Sequence, residues 1–275
     1  MREIGLHLRL RHSLLDLMQQ AHQMGLRFFQ CFLMSQDTNK LVELRSEERD
    51  QILAFRRAHF GPIIIHGSYW INLSSTTTTR HWALERELAL ASRLECDAIV
   101  LHPGYAKGAT QKEEGIDALA RALNHTARFG YPVKIILENV AHGGLSVGGD
   151  LHDFKLLLEK VDQPENLSFC IDTAHAYCYG YALETPQDLQ AFIDTLENTV
   201  TLAKIALIHL NDTTQLFGSM RDQHAMPGTG FMGIQTLKQF SLSPALAQVP
   251  MILELPVLDE PQERAALELV RSWHT

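Results

Sequence analysis

Short apolar runs rich in β-branched residues alternate along the chain with longer segments whose apolar positions recur every three or four residues. The first kind predicts strands over 4–8, 27–33, 62–65, 98–101, 133–137, 167–171, 205–208 and 251–253. The second predicts helices over 12–24, 46–59, 80–94, 112–129, 151–160, 186–202, 234–240 and 263–273, with Asp150 placed to cap the fifth. Eight strand–helix units in order are the arithmetic of the α/β class and of a (β/α)8 TIM barrel, expected to fill 1–275 as a single domain. A doubly wound sheet also alternates, but it carries fewer strands and a glycine-rich first turn, and no such turn follows Leu8. No internal repeat and no Gly/Ser-rich or Pro-rich linker divides the chain, and the threonine run 76–79 reads as a polar loop.

The ends of the predicted strands carry the chemistry. His66, His102, Glu138, Asp172, His209 and Glu254 each directly follow an apolar strand, and they close the third through the eighth in succession. Their spacings of 36, 36, 34, 37 and 45 residues are each about one βα unit. In a barrel these ends converge on the C-terminal face. One such residue alone is an ordinary turn residue with its hydrogen bonds satisfied. Six consecutive strand ends share no such explanation. Three carboxylates and three imidazoles in a closed mouth strand charge unless cations neutralise them. Mixed His/Asp/Glu ligation without thiolate suits Zn²⁺, Mn²⁺ or Fe. Two further motifs add donors. His175 stands three residues beyond Asp172, on the turn expected after the sixth strand, and Asp222-x-His224 lies in the long loop after the seventh. An Asp-x-His pair alone is often a loop hydrogen bond; beside the other groups it reads as a third metal position. His7, inside the first strand, is either a packed core residue or a neighbour that orients a ligand.

Composition narrows the class. The chain has 275 residues, 45% hydrophobic and 20% charged, as in an ordinary soluble globular protein with enough core to fold without disulfides. No stretch approaches 18 apolar residues, and the start of the chain reads as a strand rather than a secretion signal, so a cytoplasmic protein that does not engage membranes is expected. The net charge of −8 excludes a general polyanion-binding coat, but not a local cation cluster. Cys31, Cys96, Cys170 and Cys178 show no Cys-x-x-Cys spacing and read as reduced, buried thiols.

Taken in order, the run His-Gly-Ser-Tyr-Trp-Ile-Asn-Leu at 66–73, His102-Pro-Gly, Glu138-Asn, Ile171-Asp-Thr-Ala-His175, Gly180-Tyr181, His209-Leu-Asn-Asp212, Phe217-Gly-Ser219, Asp222-x-His224, Gly228-x-Gly230 and Leu253-Glu254 resemble the endonuclease IV family, the metal-dependent apurinic/apyrimidinic endonucleases of base-excision DNA repair. The resemblance runs over nearly the whole chain. It implies three zinc ions, with manganese an option at one position. The first would take His66, His102 and Glu138. The second would share Glu138 and add Asp172, His209 and Glu254. The third would take His175, Asp222 and His224. It further implies Glu138 and Glu254 as catalytic residues, damaged duplex DNA as partner, a monomer, and hydrolysis 5′ to an abasic site that leaves a 3′-hydroxyl. Two close divalent ions suit that chemistry, because they clamp a phosphodiester in line without a side-chain nucleophile. Tyr69 and Trp70 match an aromatic and apolar pair that enters DNA at the lesion; a hydrophobic lid on the barrel rim is the alternative. Gly228-Thr-Gly230 is either a backbone approach to phosphate or a plain loop.

Several basic positions of the family pattern are changed. Asp37 follows Gln36 where an Arg is usual, and Met220 and Gln223 stand at two further Arg positions, with Arg221 between them. The first loop, Arg9-Leu-Arg-His12, is basic where small residues are usual, and Ala182 replaces an Asp. The metal chemistry is intact while the phosphate-gripping positions are thinned. The competing reading therefore keeps the barrel and metals and changes the substrate, to a sugar in an isomerase or epimerase or to a small-molecule phosphodiester.

Overall fold

Parallel strands β1 (Ile4–Leu8), β2 (Phe29–Phe32), β3 (Ile63–His66), β4 (Ala98–Leu101), β5 (Lys134–Glu138), β6 (Ser168–Asp172), β7 (Ile205–His209) and β8 (Met251–Leu253) close into a barrel in the computed structural model, which describes residues 2–35, 40–78 and 81–274. Pairing runs β1-β8-β7-β6-β5-β4-β3-β2 and closes where His7 and Leu8 of β1 face Gln30 and Cys31 of β2. The predicted (β/α)8 barrel is therefore the fold. Among the described residues no helix is long and apolar enough to cross a membrane.

Period-two alternation explains where the chemistry lies. One buried cluster, Phe28, Ile64, Ala98, Val100, Ile136, Cys170, Leu207 and Ile252, takes alternate positions from the strands and fills the barrel. The intervening positions, such as Ile65, Ile99, Leu137, Ile171 and Ile208, join the larger core that packs against the helices. Two residues beyond an inner apolar position the chain points inward again, one layer higher. That step leads from Ile64 to His66, from Val100 to His102, from Ile136 to Glu138, from Cys170 to Asp172, from Leu207 to His209 and from Ile252 to Glu254. The mouth is thus the top layer of the same face that packs the barrel.

The helices are α1 (Leu14–Gln23), α2 (Ser46–His59), α3 (Trp82–Arg93), α4 (Lys112–Ala127), α5 (His152–Leu158), α6 (Thr173–Tyr179), α7 (Pro186–Thr199), α8 (Gly233–Ser241) and α9 (Glu260–Arg271). Thr185 and Asp259 open α7 and α9 with reciprocal capping boxes, which starts α9 three residues before its predicted position. Asp150 does not cap α5: Leu151 holds that position, and Asp150 accepts from the His152 N–H and pairs with the His152 ring. Helix α7 stops at Thr199 because Thr201, at φ 62°, turns the chain into β7. The segment after β6, expected as a turn, is helix α6, and Asp172 caps it by accepting from the His175 N–H at 2.7 Å. All four cysteines are buried and free.

Helix α3 also holds the loop above β3. Glu87 is buried, and its two carboxylate oxygens lie 3.2 and 3.4 Å from the Ser68 N–H, while the Ser68 hydroxyl accepts from the Trp70 N–H at 3.3 Å. Burial, only partly offset by that backbone donor, pushes the carboxyl from 4.5 up to about 7. The folded state therefore binds this proton more tightly than the unfolded chain. Its stabilisation is complete below about pH 4.5 and is lost as pH rises through 7, a difference of about 3 kcal/mol. Glu87→Gln keeps an oxygen for Ser68 and never charges. Urea unfolding between pH 5 and 8 is expected to show stability falling more steeply in the parent than in this variant; parallel profiles would mean that Glu87 ionises without cost.

Candidate metal centre

Glu138, the last residue of β5, has no solvent exposure and sits between two pairs of imidazoles. Its Oε2 lies 3.2 Å from His66 Nε2 and 3.3 Å from His102 Nε2. Its Oε1 lies 3.0 Å from His209 Nδ1 and 3.2 Å from His175 Nδ1. Three groups of donor atoms, each mutually within 4.8 Å, result: His66, His102 and Glu138; Glu138, Asp172, His209 and Glu254; and Asp172, His175 and His224. Glu138 belongs to two of them, as expected from the sequence. So does Asp172, which had been assigned to one. Asp222 stands on the solvent side of the third group, 3.2 Å from His175 Nε2 and 3.4 Å from His224 Nε2. All nine residues singled out in the sequence meet in one mouth.

The rings are aimed by what they bond behind the mouth. His66 Nδ1 donates to Gly67 O at 2.8 Å, His175 Nδ1 to Asn139 O at 2.8 Å, and His224 Nδ1 to Glu254 O at 3.1 Å. Each of these rings therefore turns Nε2 into the mouth. His175 Nε2 and His224 Nε2 are buried without a hydrogen-bond partner. Orphaned imidazole nitrogens facing the carboxylates of Asp222 and Asp172 fit a bound cation. The carboxylates are aimed too. Asn139 brackets the Asp172 backbone on both sides, and Asn211 Nδ2 donates to Asp172 Oδ2 at 2.6 Å while its Oδ1 accepts the Glu254 N–H. Asn139 and Asn211 stood in the quoted motifs but carried no assigned role. Gln30, which contacts His7, His209 and Glu254, was missed altogether, although it too stands two residues beyond an inner apolar position, Phe28. His7 Nδ1 lies 3.2 Å from Glu254 Oε1, so its ring edge borders the site.

Charge is held in a definite pattern. Burial alone would raise Glu138 and Glu254, but the imidazoles around them hold both well below the carboxylate range. Burial wins at Asp172, which is raised. Burial would depress His175 and His209, yet Asp172 and Asp222 around the first, and Cys170 with Glu254 and Glu138 around the second, lift both well above 6.5.

The rim differs from the expectations. Tyr69 and Trp70 are both exposed; the Tyr69 ring stands 5.7 Å from that of His66 and 5.9 Å from that of His102. The amides of Gly228 and Gly230 do not form a phosphate cradle. Both donate at 3.0 Å to the buried carboxylate of Asp212, which also takes the N–H groups of Thr213 and Met232. The loop is neither an open anion site nor a free segment, and Gly230 must lack a Cβ, because one would come 2.3 Å from Thr213 O. Arg9 donates to Leu255 O and Pro256 O, and Arg11 to Leu258 O. The basic first loop is thus tied to the chain's own backbone. Met220, at φ 56°, is pinned by bonds to Cys178 O and from His142 Nδ1, and Gln223 pairs with Gln215. Gln36 and Asp37 lie outside the described residues.

Residues 18–273 match the family described as Xylose isomerase-like TIM barrel. The protein named "Probable endonuclease 4" of Halorhodospira halophila is 33% identical over 268 residues, which is 93% of this chain and 89% of that protein. A protein of the same name from Nitratidesulfovibrio vulgaris is 34% identical over 223 residues, 78% of either chain. Among solved structures, endonuclease IV from Thermus thermophilus superposes with a TM-score of 0.84 at 30% identity, covering 99% of this chain and 98% of that one. A D-tagatose 3-epimerase-like protein shares the fold, with a TM-score of 0.71 at 16% identity.

Because the carboxylates keep His175 and His209 protonated above 6.5 in the metal-free protein, a cation must displace those protons to use the ring nitrogens. Zinc added to metal-free protein at pH 7 is expected to release at least one proton per chain, and its affinity to fall as pH is lowered. Calorimetry in buffers of different ionisation enthalpy reads this directly; heats that do not depend on the buffer would show the imidazoles already neutral.

Proposed function

The chain belongs to the endonuclease IV family of nucleases, and from that membership we propose that it is a zinc-dependent repair enzyme that hydrolyses duplex DNA 5′ to an abasic site and leaves a 3′-hydroxyl. The observation that carries this reading is the nine-donor mouth in which Glu138 and Asp172 are each shared between two donor groups. In this reading His66, His102 and Glu138 hold the first zinc. Glu138, Asp172, His209 and Glu254 hold the second, and His175, Asp222 and His224, with Asp172 beside them, hold the third. Bound there, the divalent ions supply Lewis acidity to the phosphodiester, acidify the attacking water and offset charge on the leaving oxygen.

The chain's own part is positioning. Glu138 and Glu254 act as the catalytic carboxylates. Glu138 is buried and Glu254 partly buried below the exposed aromatic loop, and both are held in the ionised form by the imidazoles facing them. Backbone carbonyls behind His66, His175 and His224 keep those rings turned inward, which removes the entropy of ordering them at each turnover. Tyr69 and Trp70 recognise the lesion. The Tyr69 ring leans on His66 and His102, while Trp70, 72% exposed on a loop braced by Glu87, is free to enter the gap where a base is missing. An intact pair fills that gap, so undamaged duplex gives the indole no place.

The test is incision of a duplex oligonucleotide carrying one stable abasic analogue, beside an undamaged control, at low salt with zinc. A single cut 5′ to the lesion is expected, with none in the control and none with Glu138→Ala. Trp70→Ala should keep its metal and weaken binding of the damaged duplex by about tenfold or more, the worth of one stacked aromatic. Metal-loaded protein that leaves the abasic duplex uncut would transfer the site to a sugar or small-molecule phosphodiester substrate.

A further inference from the structure

We propose that Gln30 is a positioning residue of this centre: its side-chain amide selects which ring nitrogen His209 offers to a metal and at the same time ties down Glu254. The inference rests on the metal reading above. Gln30 lies on β2, fully buried in the barrel, and its hydrogen-bonding atoms all meet groups of the mouth. Nε2 is 2.7 Å from Glu254 Oε1 and 2.8 Å from His7 Nδ1, and Oε1 is 3.0 Å from His209 Nε2.

The amide has one sensible orientation. With oxygen and nitrogen exchanged, a carbonyl oxygen would face the Glu254 carboxylate at hydrogen-bond distance, and two acceptors would repel. The nitrogen therefore faces Glu254. The amide oxygen, which can only accept, then requires a proton on His209 Nε2. Once a metal displaces the second ring proton, Nδ1 is the nitrogen left to offer a lone pair. It points at Glu138 Oε1 at 3.0 Å, Glu254 Oε2 at 3.3 Å and Asp172 Oδ2 at 4.0 Å, the remaining donors of its group.

His209 is inverted relative to its neighbours. His66, His175 and His224 bond a backbone carbonyl through Nδ1 and face the mouth with Nε2. A backbone partner is present whatever the side chain. His209 bonds a side chain through Nε2 and faces the mouth with Nδ1. Its orientation can therefore be removed by substituting one residue. A glutamine kept in the barrel only for packing would have no reason to commit its donor and its acceptor to site groups.

Nitrogen-15 NMR of the zinc-loaded parent is expected to place the His209 ring proton on Nε2, slow to exchange; a proton on Nδ1 overturns the inference without any variant. Gln30→Met, which keeps the length and removes all three bonds, is expected to lose zinc to a competing chelator at ten- to a hundredfold lower chelator concentration. It should also lose the protected ring proton and lower kcat while leaving KM for abasic duplex unchanged. Zinc retention equal to the parent's overturns the inference. A parent that holds no zinc at all defeats the metal reading itself, a result separate from an unaltered Gln30→Met.

Discussion

The carboxylate of Glu138 is out of reach of water and faced by the imidazoles of His66, His102, His175 and His209. An isolated carboxylate moved into such a place would take up a proton rather than stay charged. Here four nitrogens on four different elements keep it ionised, and they can do so only if the barrel closes in the right register. The ring of strands supplies that register: Asp172 lies beside His209, while His66 lies beside Val100, Glu138 beside Cys170 and His209 beside Ile252, a stepwise stagger that brings each donor to the mouth. Fold and site are in this sense one constraint. A strand slipped by one residue would turn its donor outward into the helical layer and leave Glu138 with unpaired charge.

Around that centre the chain uses one atom for two tasks wherever it can. Asp172 ends β6, caps α6 through Oδ1 and takes the Asn211 amide on Oδ2, which faces His209 and His224. The cap bond starts the helix at the point that carries His175 into the mouth, so the helix and the donor are set by the same carboxylate. Asp212 works alike one strand further on: by collecting four backbone N–H groups it anchors the loop that runs from His224 into α8. At Asp172 and Asp212 rigidity comes from buried carboxylates whose two oxygens are both bonded.

The barrel and six of the gathered side chains are legible in the sequence because both follow from simple periods, while His175, Asp222 and His224 show only as short motifs read beside them. A strand every 34 to 45 residues marks the units, and a His, Asp or Glu after an apolar run marks the mouth. Gln30 escaped for a chemical reason: an amide is not a metal donor of choice, so it raises no flag at a strand end. Extending the inner-face alternation from Phe28 to Gln30, and from Gly5 to His7, would have found both, and both meet the Glu254 carboxylate. Helix α6 escaped because it has seven residues and no amphipathic repeat of its own; it exists through the Asp172 cap and the packing of Ala176 and Cys178. The partners of Arg9, Arg11 and the Gly228–Gly230 amides lie in loops distant in sequence, and no local pattern encodes such pairings.

Those pairings bear on how an acidic chain could hold a polyanion. The formal charge is −8, and two of the arginines beside the mouth are engaged by carbonyl oxygens of the loop after β8. Loop amides that could have met phosphate are taken by Asp212. The mouth itself brings four carboxylates, Glu138, Asp172, Asp222 and Glu254, into one small volume. Without cations this surface repels a phosphodiester. Three divalent ions against four carboxylates, with neutral imidazoles, would reverse the sign and leave the mouth with two positive charges in surplus. On the proposed reading, metal loading is then the step that creates the phosphate site as well as the chemistry. Fewer lysine and arginine contacts are needed, and the salt dependence of binding becomes shallower than that of a protein gripping the backbone with side chains. The thinned basic rim and the dense donor set are two sides of one electrostatic arrangement.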